Sequence, residues 1–264
     1  MRLKIFLSFL IAFAAGCEEK VDLPLSPENT DLLVVEGVIT NENKNHLVTL
    51  THPYPKQNGE GQPVSGALVI VFEDSTAHVL TEIPSGSGKY YTPPLRALVG
   101  KLYTLFIQHN GRRYFAQDSP VPVQPLQDLN YRENENGYVL TLHPSGVNPN
   151  YVEHTIDWKD SGTCETESSC GGKIIFYDLK TIDVNEIYKP DQEVFHFPEN
   201  SIVVRRKFSV SPAYKSFLRS MLSETSWRGG VFDVERANVP SNLSEGAVGF
   251  FAVCSVVSDT TLIP

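Results

Sequence analysis

After residue 17 the chain has no long hydrophobic run, which argues against a membrane-spanning helix. Such a helix needs about 20 consecutive apolar residues. The uncharged, mostly apolar stretch Ile5–Ala15 is shorter than this and lies at the N terminus. The sequence therefore predicts no helix that crosses a membrane.

Positive charge is also scarce. The chain carries 22 lysine and arginine side chains against 31 aspartate and glutamate side chains, a formal net charge of −9. Arg2 and Lys4 belong to the N-terminal leader, so its removal makes the balance more acidic. An acidic protein of this kind is disfavoured as a partner of nucleic acid or of an anionic lipid surface.

Motifs for catalysis or metal binding are missing as well. The sequence contains no nucleophile elbow, zincin helix or EF-hand loop, and its seven histidines are scattered. The segment Ser85–Lys89 is similar to a phosphate loop, but it joins two strand-like runs and no helix follows it. We therefore expect no enzyme activity, cofactor or metal. A hydrolase is the alternative, and it would need several titratable groups converging in one pocket.

The N terminus is the most informative stretch. Arg2 and Lys4 precede the apolar run, and the small residues Ala14, Ala15 and Gly16 precede Cys17. This order is typical of an export signal. It also resembles a bacterial lipobox, which implies removal of residues 1–16, acylation of Cys17 and anchoring to a membrane by its acyl chains. A plain secretory signal is the alternative.

Residues 17–30 are predicted to be the lipidated cysteine and a flexible tether, because they are polar and contain two prolines without periodicity. Glu18, Glu19 and Asp22 directly after Cys17 resemble the surface-export signal of Bacteroidota lipoproteins. The resemblance implies an outer-membrane protein facing the cell exterior. A solvated linker is the alternative interpretation of the same residues.

Three cysteines remain besides Cys17. Cys164 and Cys170 are close enough in one polar loop to form a local disulfide, and no second pair or neighbouring histidines support a zinc site. Cys254 lies in an apolar run and is predicted to be a buried small side chain.

Short β-branched and aromatic runs between turn residues predict a mainly β fold. We expect an Ig-like or transthyretin-like β-sandwich over 31–120 and a second β-rich domain over 121–264 with one amphipathic helix. In the first half, Asn110-Gly111 predicts a hairpin over Leu102–Gln117. The other first-half strands are expected at Leu32–Thr40, His46–Thr51, Ala67–Glu73, His78–Ile83 and Lys89–Thr92.

In the second half, apolar residues at three- and four-residue spacings after Ser211 predict a helix over Ser211–Glu224. Ala247–Val257 is almost continuously apolar and is expected to be a central, buried strand. Further strands are expected at Tyr138–His143, Tyr151–Trp158, Lys173–Val184, Ser201–Ser209 and Val231–Val234.

The first half resembles the carboxypeptidase-regulatory-like, transthyretin-like sandwich modules, which are non-catalytic. The elements that carry the resemblance are Val35-Glu36-Gly37, Pro63–Ala67, Gly88-Lys89-Tyr90 and Gly100–Leu105. The resemblance implies that Tyr90 and Tyr103 pack between two sheets.

Nearly the whole mature chain resembles the Bacteroidota lipoproteins grouped as domain of unknown function family 4249. The C-terminal motifs are Tyr214 and Phe217 in the helix, Gly229–Asp233, Pro240 with Asn242, and Ala247–Phe251. The resemblance implies an outer-membrane lipoprotein associated with a TonB-dependent β-barrel receptor, with no enzymatic activity established.

We therefore expect an accessory subunit of such a receptor that captures or gates a ligand. Its contacts are expected at loop tips and exposed aromatics, namely Tyr54, Trp227 and the Cys164–Cys170 loop. Core packing is the alternative role for Trp227. A structural or adhesive surface lipoprotein is the alternative function.

Overall fold

The computed structural model describes residues 32–54, 61–144, 146–161, 170–180, 195–225 and 239–264. The fold is mainly β, as predicted. The described helix is α1 (Pro212–Thr225). The described strands are β1 (Leu33–Thr40), β2 (Leu47–Thr51), β3 (Leu68–Glu73), β4 (Thr76–Val79), β5 (Thr81–Glu82), β6 (Lys89–Tyr91), β7 (Tyr103–His109), β8 (Arg112–Asp118), β9 (Tyr131–Asn134), β10 (Gly137–Leu140), β11 (Asn150–Asp157), β12 (Gly171–Asp178), β13 (Ile202–Ser209), β14 (Ala247–Cys254) and β15 (Val256–Leu262).

Two sheets form a sandwich that is built mostly from the first half of the chain. A five-stranded sheet in the order β14-β1-β2-β6-β5 and a four-stranded sheet in the order β4-β3-β7-β8 share one hydrophobic core. Tyr90 and Tyr103 are 1% and 0% exposed within it, which confirms their predicted place between the sheets. Their hydroxyl groups are paired with backbone groups at the sheet ends, so burial leaves neither unsatisfied.

The predicted hairpin is β7–β8. The two strands pair in register from Tyr103 opposite Asp118 to His109 opposite Arg112. Asn110 and Gly111 both have positive φ, 47° and 76°, as a two-residue turn between twisted strands requires.

The strand β14 is buried as predicted, but the prediction that it is central in its sheet was wrong. It pairs in parallel with β1 and lies at the outer position of the five-stranded sheet. It is nevertheless buried because cores lie on both of its faces: Phe251 and Val253 point into the sandwich core, and Phe250 and Cys254 point toward α1.

Side chains complete the free edge of β14. The amide of Asn242 donates to the Phe251 carbonyl at 2.7 Å and accepts from the Phe251 N–H at 3.1 Å. The Asp118 carboxylate accepts from the Val253 N–H at 2.8 Å. Asn242 also donates to the Gln117 carbonyl on β8, so this side chain joins the two sheets of the sandwich.

The second half forms a four-stranded sheet in the order β12-β11-β13-β15, with α1 packed on one face. The predicted helix is confirmed, and Ser211 caps it by accepting from the Tyr214 N–H at 3.2 Å. The apolar run predicted as one strand to Val257 is divided at Ser255 into β14 and β15, which belong to different sheets.

The predicted boundary at residue 120 does not divide the sheets, because β14 comes from the second half and pairs with β1. Asn41 reinforces this connection, since its side chain is hydrogen-bonded to both the N–H and the carbonyl of Val256. Within the described ranges, α1 and the short helical turn at 159–161 are both too short or too polar to cross a membrane.

Candidate ligand-binding groove

An open groove of about 520 Å³ lies at the end of the four-stranded sheet β12-β11-β13-β15, which we call the second sheet. This volume is within the range of about 300–1,000 Å³ that is usual for small-molecule sites. Its described lining comes from three segments: the β9–β10 hairpin, the residue after β11, and the 196–199 turn. The lining residues are Glu133, Asn134, Glu135, Asn136, Gly137, Tyr138, Trp158, His196, Phe197, Pro198 and Glu199.

The β9–β10 hairpin forms one wall of the groove. Its turn is closed by Asn134, whose side-chain oxygen accepts from the Asn136 N–H at 2.9 Å. Gly137 follows with a φ of 110°, and a Cβ there would lie 2.6 Å from the Phe197 carbonyl oxygen. Only glycine allows both this backbone conformation and this close approach.

The hairpin is joined to the opposite wall by a short β-bridge. The Tyr138 N–H donates to the Phe197 carbonyl at 2.8 Å, and the Phe197 N–H donates to the Tyr138 carbonyl at 3.1 Å. Backbone hydrogen bonds therefore hold the two walls of the groove together, in addition to side-chain contacts. A site built in this way is largely preorganised.

Aromatic side chains lie in the lining of the groove and beneath it: Tyr138 and Trp158 are partly exposed in the lining, and the Phe197 side chain is buried. Tyr138 stacks on Phe197 with ring centroids 6.3 Å apart, and Tyr131 meets Tyr138 edge-on at 5.9 Å. The Trp158 ring packs against Phe195 at 5.8 Å, and the backbone N–H of Trp158 donates to the Cys170 carbonyl at 2.9 Å. Such rings provide flat apolar surface with polar edges.

Carboxylates surround these rings. Glu133 pairs directly with Tyr138 across the hairpin, so both side chains lie on the same face, whereas Arg132 lies on the other face. Partial burial, together with the nearby carboxylates of Glu133 and Glu199, raises the pKa of the Tyr138 hydroxyl. The groove is therefore an acidic environment as well as an aromatic one.

His196 is the histidine of the lining. Its Nε2 accepts a 3.2 Å hydrogen bond from the side-chain amide of Asn134. This contact connects the hairpin tip to the opposite wall and fixes the orientation of the imidazole ring.

A second, smaller cavity of about 50 Å³ lies between the sheet and the 126–130 segment. His154 and Arg205 line it, and Arg205 forms a bidentate ion pair with Asp259. The Nδ1 atom of His154 is buried without a hydrogen-bond partner, and burial and the neighbouring Arg205 lower the pKa of His154. The cavity has room for water molecules that could pair with this atom.

The described part of the chain contains no group of three or more His, Cys, Asp or Glu side chains placed to hold a metal ion. Cys254 is fully buried, and burial raises the pKa of its thiol, so the reactive thiolate is disfavoured. Outside both cavities, His78 lies 3.7 Å from Glu73, and the strand register places both on the face of the sheet that carries the buried Val71 and Tyr103.

Of the residues predicted as sites, only Tyr54 and Cys170 can be placed. Tyr54 is 54% exposed near the end of β2, as expected for a contact residue, but it is not among the lining residues of the groove. Cys170 is buried immediately before β12. Cys17, Cys164 and Trp227 lie outside the described residues, so the lipid anchor, the disulfide and the Trp227 contact stay predictions.

The outer face of the β4-β3-β7-β8 sheet of the sandwich carries a second surface of interest. A row of apolar side chains crosses all four strands in register: Val79 on β4, Ile70 on β3, Phe106 on β7 and Phe115 on β8. Val79 and Phe115 are 53% and 46% exposed, and the two phenylalanine rings lie 5.2 Å apart. We call these four residues the apolar row.

The fold and the groove describe a β-rich protein whose second sheet ends in an aromatic, acidic cleft. The chain belongs to the family described as Domain of unknown function (DUF4249), whose model matches residues 18–260. This match confirms the family part of the sequence resemblance. Among curated proteins, no match to the chain is found.

Sequence reasoning did not predict the groove. The available signal was Asn136-Gly137, a hairpin dipeptide between Tyr131 and Tyr138. The groove also depends on the Tyr138–Phe197 bridge, and no local pattern predicts a pairing over this separation in sequence.

Proposed function

We propose that this protein is a lipid-anchored outer-membrane protein that captures a ligand for a TonB-dependent receptor. The observation that carries the proposal is the open groove with its aromatic lining, because it has the size and chemistry of a ligand site. The lipobox-like sequence at Cys17 supports the anchor. The receptor partner is inferred from the resemblance to lipoproteins of this family.

Anchoring would make this arrangement effective. A tethered protein meets a partner in the same membrane at a high effective concentration, so a weak contact is enough to hold the two together. The ligand could then be passed from the groove to the receptor without diffusing away.

The apolar row is the surface we assign to the receptor contact. Exposed apolar patches of this kind are typical of protein–protein interfaces, and the row lies on the sandwich whereas the groove lies on the second sheet. Ligand and receptor could therefore be bound at the same time.

A gentle detergent pull-down from native membranes through a C-terminal tag tests the partner. We expect a β-barrel receptor at near-equal amount with the unaltered chain, and much less with the double variant Val79→Glu/Phe115→Glu. The matched control is Val147→Glu, since Val147 is 80% exposed away from the apolar row. Repeated recovery of the lipoprotein alone would contradict the proposal and favour a structural or adhesive role.

The anchor is tested separately by Cys17→Ala. This variant should lose acyl labelling and move from the membrane fraction to the soluble fraction, because no acyl chains can be attached. Retention of Cys17→Ala in detergent-free membranes would show that the attachment is elsewhere.

A further inference from the structure

Charge and aromatic surface coincide in the groove. Its described lining contains three carboxylates, Glu133, Glu135 and Glu199, and no lysine or arginine. Its partly exposed aromatic members are Tyr138 and Trp158, and the Phe197 side chain is buried beneath them. Each of these features alone would be ordinary in an acidic protein, but here both occur in one cleft of ligand size.

The placement of the basic residue in the β9–β10 hairpin strengthens this observation. Arg132 is adjacent to Glu133, yet the β9–β10 register puts it opposite Val139, on the other face of the hairpin from Glu133 and Tyr138. Its guanidinium group is therefore directed away from the side that carries the carboxylate. The acidic character of the groove is not neutralised by its own hairpin.

We infer that the groove binds an organic cation, a ligand with an ammonium or guanidinium group on an apolar body. The faces of tyrosine and tryptophan rings attract cations, and carboxylates at the rim add direct ion pairing. An anion would meet three like charges, and a neutral ligand would use the rings but gain nothing from the carboxylates. The inference rests on the proposed capture function and gives it a ligand class.

Trp158 provides a direct readout because it lines the groove. The chain has two tryptophans, so the variant Trp227→Phe leaves Trp158 as its single indole fluorophore. The full-length chain carrying this substitution, purified in a mild nonionic detergent, is titrated with benzyltrimethylammonium. The comparison ligands share the phenyl ring: benzyl alcohol is neutral and phenylacetate is anionic.

We expect benzyltrimethylammonium to change the Trp158 emission and to bind about tenfold or more tightly than phenylacetate, with benzyl alcohol between them. Raising the sodium chloride concentration should weaken the binding of benzyltrimethylammonium and leave the binding of benzyl alcohol unchanged. Equal or tighter binding of phenylacetate, or of a neutral sugar such as maltotriose, would overturn the inference.

Variants in the same background separate the groove from the general negative charge of the protein. Glu133→Gln/Glu199→Gln should weaken cation binding several-fold, because it removes two carboxylates and preserves shape. The control Glu245→Gln changes an exposed carboxylate outside the groove and should alter affinity less than twofold. Equal weakening in both would show that the cation responds only to net charge, which would also overturn the inference.

The titration contains no receptor, so it and the pull-down fail independently. A recovered receptor with no cation preference would leave the capture function standing and remove the ligand class. Cation binding without a receptor would keep the groove and remove the partner.

Discussion

At Gly249 the backbone of β14 runs against that of β1 with no room for a side chain. A Cβ there would lie 2.1 Å from the Val35 carbonyl oxygen, and the φ of Gly249 is 101°. Gly249→Ala should therefore lower the free energy of unfolding by roughly 3 kcal/mol or more, from backbone strain and steric clash together. Chemical denaturation of the purified protein measures the loss.

The matched control for this change is Gly66→Ala. Gly66 also has positive φ, 72°, but a Cβ there would meet nothing within 4 Å. Gly66→Ala should lower the free energy of unfolding only by the cost of placing alanine in the left-handed backbone conformation, about 1–2 kcal/mol. Equal losses in the two variants would contradict the steric part of the explanation.

A second prediction at the residue scale concerns pH and His154. Because burial and Arg205 lower its pKa in the folded protein, the unfolded chain binds the proton more readily. The free energy of unfolding should therefore fall as pH drops below about 6.5, by up to about 1.4 kcal/mol per pH unit for this group.

The variant His154→Gln should show a flatter dependence between pH 7 and 5.5, measured by urea denaturation at several pH values. His109→Gln, at the half-exposed end of β7, is the control and should keep the slope of the unaltered protein. An unchanged slope in His154→Gln would rule out His154 as the source.

At the scale of the element, Asn242 makes two of the side-chain hydrogen bonds that complete the edge of β14. Asn242→Ala removes three hydrogen bonds, two to the backbone of the buried Phe251 and one to Gln117. Leaving a buried backbone group unpaired costs about 1–3 kcal/mol. We expect the free energy of unfolding to drop by roughly 2–4 kcal/mol in a denaturant titration.

Ser223→Ala is a suitable control for this loss. The Ser223 hydroxyl also bonds a backbone carbonyl, that of Arg219, but on the exposed side of α1. Its removal should change the free energy of unfolding by less than about 0.5 kcal/mol. If Asn242→Ala were equally harmless, water would be replacing the side chain at the strand edge.

Elements with a periodic apolar pattern were predictable from sequence. In β7 buried and less buried residues alternate from Tyr103 onward, and in α1 the apolar residues recur along one side. By contrast, all four side chains of β9 are exposed, so no alternation marks it as a strand. The prediction therefore missed β9, although the strand predicted at Tyr138–His143 overlaps β10.

Pairings between distant segments were the other part that sequence reasoning could not reach. An apolar strand such as β14 is compatible with many partners, and its parallel pairing with β1 follows from the packing of two cores around it. The groove has the same origin, since Tyr138, Trp158 and Phe197 come from three separate segments. Only the three-dimensional register brings these rings together.

At the scale of the whole molecule, several contacts join the two halves. Side chains of β14 belong to both hydrophobic cores, and the Asn41 side chain is hydrogen-bonded to the backbone of Val256. Glu42 forms an ion pair with Arg206, which also lies 3.5 Å from Glu153. Although its partial burial acts in the opposite direction, hydrogen bonds from Lys44 and Arg206 lower the pKa of Glu42 to about 2.

These connections predict that the sandwich and the second sheet unfold together. Calorimetry of the full chain should give one transition whose calorimetric and van't Hoff enthalpies agree. A fragment of residues 17–120 should show no cooperative transition, because the five-stranded sheet would lose β14 and the core would lose Phe251 and Val253. Two resolved transitions, or a fragment that melts sharply, would instead establish the sandwich as an independent domain and confine the role of β14 to docking the second half against it.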